Sequence, residues 1–225
     1  MLFDPPLGPL LDRLHRASDA QGEAIGAYFA ARAREGSVDW REFDDATHRF
    51  MSDKLVALDR DKALLCYQLC RALRARRVVE VGTSFGVSTL YLAAAVRANV
   101  REDGAAGVVI GSELEPRKAE LARAHFAEAE LSDWIDLREG DLRETLREVG
   151  GPVDFVLMDV WTPMARPALE RLAPRLRPGA IVIADNTVTF RDAYADYFAF
   201  VHDPANRFRT QTLPFEGGLE LTVRE

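Results

Sequence analysis

The chain has 225 residues, 48% of them hydrophobic, and a formal net charge of −7. That length suits one domain with a full core, or one domain carrying a helical extension, and the alternation of β-rich and helical stretches indicates α/β. With no basic excess to release counterions, neither nucleic acid nor an anionic membrane is an expected partner.

No apolar run approaches membrane-spanning length, and Met1-Leu2-Phe3-Asp4-Pro5-Pro6 lacks the charged and apolar regions of a leader, so a cytoplasmic protein is expected. Residues 1–58 read as helices without strands: 7–14, 24–34 and 40–51, interrupted at Gly36-Ser37. Aromatic residues recur through this region (Tyr28, Phe29, Trp40, Phe43, Phe50), which suits a packed cap, a dimer surface or a lid. A further helix starts near Asp59 and runs to about Leu73. It carries Cys66 and Cys70 on one apolar face, where buried thiols are expected rather than a zinc site.

From Val78 the pattern becomes regularly α/β. Continuous apolar runs at 78–81, 108–110, 155–158 and 180–184, with a weaker one at 134–137, are separated by helices, as parallel strands buried on both faces require. The tail, 208–213 and 218–223, reads as an antiparallel hairpin at the sheet edge. The expected organisation is an N-terminal extension, 1–58, and a single domain, 59–225.

The first strand leads into Glu80-Val81-Gly82-Thr83-Ser84-Phe85-Gly86-Val87-Ser88, a turn between strand and helix where ligands of a doubly wound sheet bind. It lacks the third glycine of a dinucleotide fingerprint and the lysine of a P-loop. No basic residue lies between Val78 and Val96, and Glu80 sits in the strand end. A pyrophosphate would meet a carboxylate and no cation; the sulfonium of S-adenosylmethionine suits such a turn better. Glu80, Glu113, Asp141, Asp159 and Asp185-Asn186 all fall at or just past strand ends, which a right-handed doubly wound sheet gathers on one edge. Glu113 is placed to accept both hydroxyls of a ribose. Gly140, Asp141 and Leu142 would border the adenine, and Ser84 and Ser88 the amino-acid end. Asp159, Asp185 and Asn186 offer three hard oxygen donors without Cys or His, a set for Mg²⁺ or Ca²⁺ that would orient a substrate hydroxyl and lower its pKa.

These residues resemble the class I S-adenosylmethionine-dependent O-methyltransferases, in particular the cation-dependent catechol and caffeoyl-CoA group. The likeness rests on 79–88, on Ile110-Gly111-Ser112-Glu113-Leu114-Glu115-Pro116, on Glu139-Gly140-Asp141, on 154–161 and on 176–186. It implies a mostly parallel, seven-stranded Rossmann-like sheet with the last strand antiparallel, and a homodimer. It also implies that Leu58, Gly82, Thr83, Leu114, Asp159 and Trp161 join the cofactor site, that Asp159, Asp185 and Asn186 hold the metal, and that a small hydroxylated, aromatic acceptor is methylated. One position departs from the family: its general-base lysine is here Thr162. Beside Asp159, Lys62 is the expected catalytic group, with Lys54 and His48 as other sources of a base; otherwise the metal alone acidifies the hydroxyl or the acceptor needs no base. The alternatives are a metal-independent methyltransferase of the same fold, directed at nitrogen or carboxylate, and a cofactor-binding protein without turnover.

Overall fold

A computed structural model describes residues 3–36, 39–42 and 44–225. The expected break at Ser37 and the aromatic Phe43 lie outside the described residues. The chain opens with α1 (Leu7–Asp19), α2 (Gly22–Arg34), α3 (Asp45–Met51) and α4 (Arg60–Ala72). It then alternates: β1 (Arg77–Val81), α5 (Val87–Asp103), β2 (Val108–Glu113), α6 (Pro116–Glu128), β3 (Ile135–Glu139), the single turn α7 (Leu142–Thr145), β4 (Val153–Met158), α8 (Thr162–Leu172) and β5 (Leu176–Asp185). Last come α9 (Ala195–His202), β6 (Phe208–Leu213) and β7 (Leu219–Arg224).

The seven strands form one sheet in the order β3-β2-β1-β4-β5-β7-β6, with only β7 antiparallel to its neighbours. The order reverses between β1 and β4, both of which are central and parallel. Their buried runs explain the placement: Val78, Val79, Val81, Phe155, Val156, Leu157 and Met158 are all fully buried between two helical layers.

Several boundaries differ from expectation: α1 runs on to Asp19, and three others differ as follows. The helix expected over 40–51 begins only at Asp45, because the Asp44 carboxylate accepts the amides of Ala46 and Thr47 and caps it there. Trp40 therefore lies in the preceding turn. Strand β5 runs through Pro178-Gly179 instead of starting after it, with a register shift against β4 between Val153 and Phe155. Trp134 belongs to a 3₁₀ turn (Ser132–Trp134) rather than to β3.

Of the first three helices, α1 is part of the core, whereas α2 buries none of its residues. Leu7, Leu10, Leu11 and Leu14 of α1 are buried in the same apolar cluster as residues of α4 and α5. Among the described residues, no helix is long and apolar enough to cross a membrane.

Candidate active site

Parallel strands put their carboxyl ends together, so Glu113 at the end of β2, Gly82 after β1, Asp159 after β4 and Asp185 at the end of β5 line one edge. With strands about 4.8 Å apart, β2 and β5 are separated by roughly 14 Å, enough for an extended nucleoside-bearing ligand to lie across the edge.

At the β1 turn the backbone comes unusually close to the next strand. A Cβ on Gly82, whose φ is +92°, would lie 2.1 Å from the Asp159 carbonyl oxygen, so only glycine fits. Glu80 is wholly buried. Its Oε2 accepts hydrogen bonds from Thr83 Oγ1 at 3.0 Å and from Thr89 Oγ1. Its Oε1 makes no hydrogen bond of standard geometry among the described residues, although the Ser88 hydroxyl is close enough to steady the charge. Burial pushes the Glu80 carboxyl up to about 7, against the pull of these hydroxyls. An unsatisfied buried carboxylate oxygen of this kind is what an ammonium group would complete.

Glu113 is also ordered. Its Oε2 accepts the Ser84 amide at 2.6 Å and its Oε1 the Glu115 amide at 2.8 Å, which fixes its direction at the rim. Ser84 takes a left-handed φ of 50° to make that approach. On the far side of the rim, Asp141 caps α7 through the Arg143 amide and pairs with the Arg143 guanidinium, which holds its carboxyl down at about 2. Leu142 is buried beside it, whereas Leu114 is 56% exposed.

Residues 55–58 form a strap across this edge. Leu55 N donates to Gln21 Oε1 at 3.2 Å and Ala57 N to Ser18 Oγ at 2.9 Å, which ties the strap to α1 and α2. Between the strap and residues 82–88 lies a cavity of about 10 Å³ that also touches Asp159. Leu58 is buried in it, where the resemblance put a contact to the methionine end. A far larger cleft, about 490 Å³, opens at the opposite edge of the sheet between Arg74, Arg76, Arg77 and Arg177. It is remote from the acids.

At the β4–β5 end, Lys62 provides the feature that sequence reading could place only loosely. Its side chain, 2% exposed, sets Nζ 2.8 Å from Asp185 Oδ1 and 2.9 Å from Asp59 Oδ2. Burial works against its charge, but these two carboxylates outweigh burial and raise its pKa. An ammonium held this way is a fixed positive charge, not a proton acceptor, so the structure argues against Lys62 as the base. Asn186, at a left-handed φ of 57°, turns its Nδ2 to Asp185 Oδ2 at 3.0 Å. Gly217, in the turn between β6 and β7, holds this loop: its carbonyl accepts the amides of Val188 and Thr189.

Asp159 is pushed up to about 8, by burial first and then by the charges of Asp185 and Glu80. Asp185 is raised too, by burial, against Lys62. Three buried carboxyls beside one buried ammonium, among the described residues, can all ionise only if further positive charge is supplied, and the two aspartates with the Asn186 amide offer hard oxygen donors. Among the described residues, no group of three or more His, Cys, Asp or Glu side chains is arranged as a metal site.

A doubly wound seven-stranded sheet with β7 reversed, and an acid-lined turn in place of a phosphate loop, defines a methyltransferase fold. A family described as "Methyltransferase domain" matches residues 79–187. The chain is 31% identical over 134 residues to a catechol O-methyltransferase of Mycobacterium tuberculosis, covering 59% of this chain and 58% of that protein. It is 31% identical over 170 residues to a putative O-methyltransferase of Mycolicibacterium vanbaalenii, covering 68% and 70%. In structure it is similar to an O-methyltransferase from Bacillus cereus solved in complex with SAH, with a TM-score of 0.66, 22% identity and coverage of 75% and 83%. The chain belongs to the class I S-adenosylmethionine-dependent O-methyltransferase family. It spans just over half the length of the curated catechol O-methyltransferases it matches.

Proposed function

We propose that this protein transfers the methyl group of S-adenosylmethionine to a hydroxyl of a small aromatic metabolite, assisted by a divalent cation such as Mg²⁺ or Ca²⁺. The observation that carries this reading is the gathering of three buried carboxyls along the carboxyl edge, Glu80, Asp159 and Asp185, beside which the described residues place only the Lys62 ammonium, so that ionising all three calls for further positive charge. When bound, S-adenosylmethionine supplies an electrophilic methyl on a positive sulfur, and a cation held by Asp159, Asp185 and Asn186 supplies a Lewis acid that lowers the pKa of the acceptor hydroxyl.

The chain's own residues supply positioning and charge. Glu80 and Ser88 receive the amino end, the amide-fixed Glu113 takes the ribose hydroxyls, and Gly140, Asp141 and Leu142 border the base. Thr83, Ser84, Leu114 and Trp161 complete the cofactor side, and Leu58 on the strap closes it from water. Lys62 steadies Asp185 and contributes positive potential toward the acceptor oxygen. On the resemblance, the assembly is a cytoplasmic homodimer.

The test is formation of S-adenosylhomocysteine from S-adenosylmethionine with catechol and a panel of phenols, in Mg²⁺ and in EDTA. Transfer that requires both acceptor and cation supports the proposal; no transfer to any phenol refutes it. A second reading, metal-independent transfer, is favoured by one observation: both Asp185 oxygens are already engaged, by Lys62 and by Asn186. Undiminished turnover in EDTA would establish it.

A further inference from the structure

The cleft at the amino edge of the sheet is lined by four arginines and a single acid. Arg74, Arg76 and Arg77 come from the link between α4 and β1 and from the start of β1 itself, Arg177 from β5, and Asp154 from β4, which runs between those two strands. Asp154 is committed to the frame. Its Oδ2 accepts the Arg76 and Arg77 amides at 2.8 and 2.9 Å, and its Oδ1 pairs with Arg177 Nε at 2.5 Å.

Arg77 is steadied by a neutral partner: its Nη1 donates to the Val149 carbonyl at 2.9 Å. The same nitrogen packs on the turn before β4, where a Cβ on Gly150 would lie 3.1 Å from it. Arg74 is exposed. Among the described residues, neither Arg74 nor Arg77 has a carboxylate within ion-pair distance. Positive charge therefore gathers around a concave space of about 490 Å³ without an acid to match it. The remaining lining is glycine, alanine, proline and aliphatic, with no aromatic ring on which a base could stack.

We propose that this cleft binds a small polyanion through two linked phosphates, with Arg74 and Arg77 as its anchors and the Asp154–Arg177 pair as the frame that sets Arg77. Guanidinium forks match phosphate oxygens two at a time, and the volume exceeds what one phosphate fills. What is recognised is the diphosphate itself, free or as part of a larger metabolite. The site goes beyond the transfer reading and does not depend on it. At about 3.3 Å per residue, β4 holds Asp154 roughly 17 Å from Asp159, so the cleft and the acid edge do not overlap.

Titration of the full chain with inorganic diphosphate, free of divalent cations and at about 0.15 M salt, tests it by calorimetry and by the rise in melting temperature. One diphosphate should bind per chain, with orthophosphate about tenfold weaker. Arg74→Gln and Arg77→Gln should each weaken diphosphate about tenfold, and Arg74→Lys should retain part of the affinity. Because Arg74 is exposed, Arg74→Gln should keep the ligand-free melting temperature, so its loss of binding reports charge and not fold. With S-adenosylhomocysteine filling the cofactor edge, ADP binding tighter than diphosphate assigns a larger metabolite as the source, and ADP binding more weakly assigns the free anion. No binding at millimolar diphosphate overturns the proposal, as does unchanged affinity in both glutamine variants. Displacement of diphosphate by S-adenosylhomocysteine overturns it too, by placing the anion at the other edge. So does a duplex oligonucleotide that binds more tightly than diphosphate with the same dependence on Arg74, which would make the partner a nucleic acid.

Discussion

Glu80 is a carboxyl that the fold keeps at a cost. Its pKa is raised by burial from the ordinary range to about 7, so the native state binds a proton more tightly than the unfolded chain does. Folding is therefore favoured most below the ordinary carboxyl pKa, and stability falls as pH rises through about 4.5 to 7, by on the order of 3 kcal/mol. The urea midpoint of the wild type should decline across that window, and on toward pH 8 as Asp159 also ionises, whereas Glu80→Gln should show a flatter profile between pH 4.5 and 7. The same substitution should weaken S-adenosylhomocysteine binding about tenfold, because the counter-charge for the amino group is lost. Asp159→Ala should abolish cation-dependent turnover while leaving S-adenosylhomocysteine binding measurable by calorimetry. That Glu80, Glu113, Asp159 and Asp185 gather on one edge was readable from the chain, since each lies at or just past the end of a β-branched or apolar run. That Lys62 would bridge Asp59 and Asp185 was not: its buried partner lies 123 positions away, and such pairing depends on how α4 docks on the sheet.

At the scale of elements, that docking is itself testable. Lys62 ties the first turn of α4 to the end of β5, and removing one partner of a buried pair leaves an uncompensated charge. Lys62→Met should cost about 3–5 kcal/mol in urea unfolding, and adding Asp185→Asn should recover a large part of it. A purely additive double mutant would show that the pair contributes nothing as a pair. Strand and helix order was legible because buried parallel strands carry continuous apolar runs; the helix start at Asp45 was not. Trp40 and the acidic stretch after it read equally well as the opening of a helix, and what settled the matter was a side-chain cap at Asp44. That single capping choice leaves Trp40 outside the helix, free to cross to Trp161 and Phe190.

At the scale of the whole molecule, residues 1–58 read as a helical extension, a packed cap, a dimer surface or a lid, because their pattern contains no strand and their partners lie in a different part of the chain. In the structure four leucines of α1 lie in the core shared with α4 and α5, as a packed cap would place them. At about 1.5–3 kcal/mol for each buried side chain, their loss approaches the whole stability of a typical domain. A fragment of residues 59–225 should therefore show no cooperative thermal transition by circular dichroism, while a fragment that melts sharply would make the extension separable. The hairpin that completes the sheet reaches to the candidate site. Were a Cβ present on Gly217, it would lie 2.6 Å from Asn186 Oδ1, and the Gly217 carbonyl already moors the two amides that follow. What looks like trim on the sheet's border is thus a keel for the loop that carries Asp185 and Asn186. A residue exchanged there would be felt first as a displaced donor beside Asp185, well before the strands came apart.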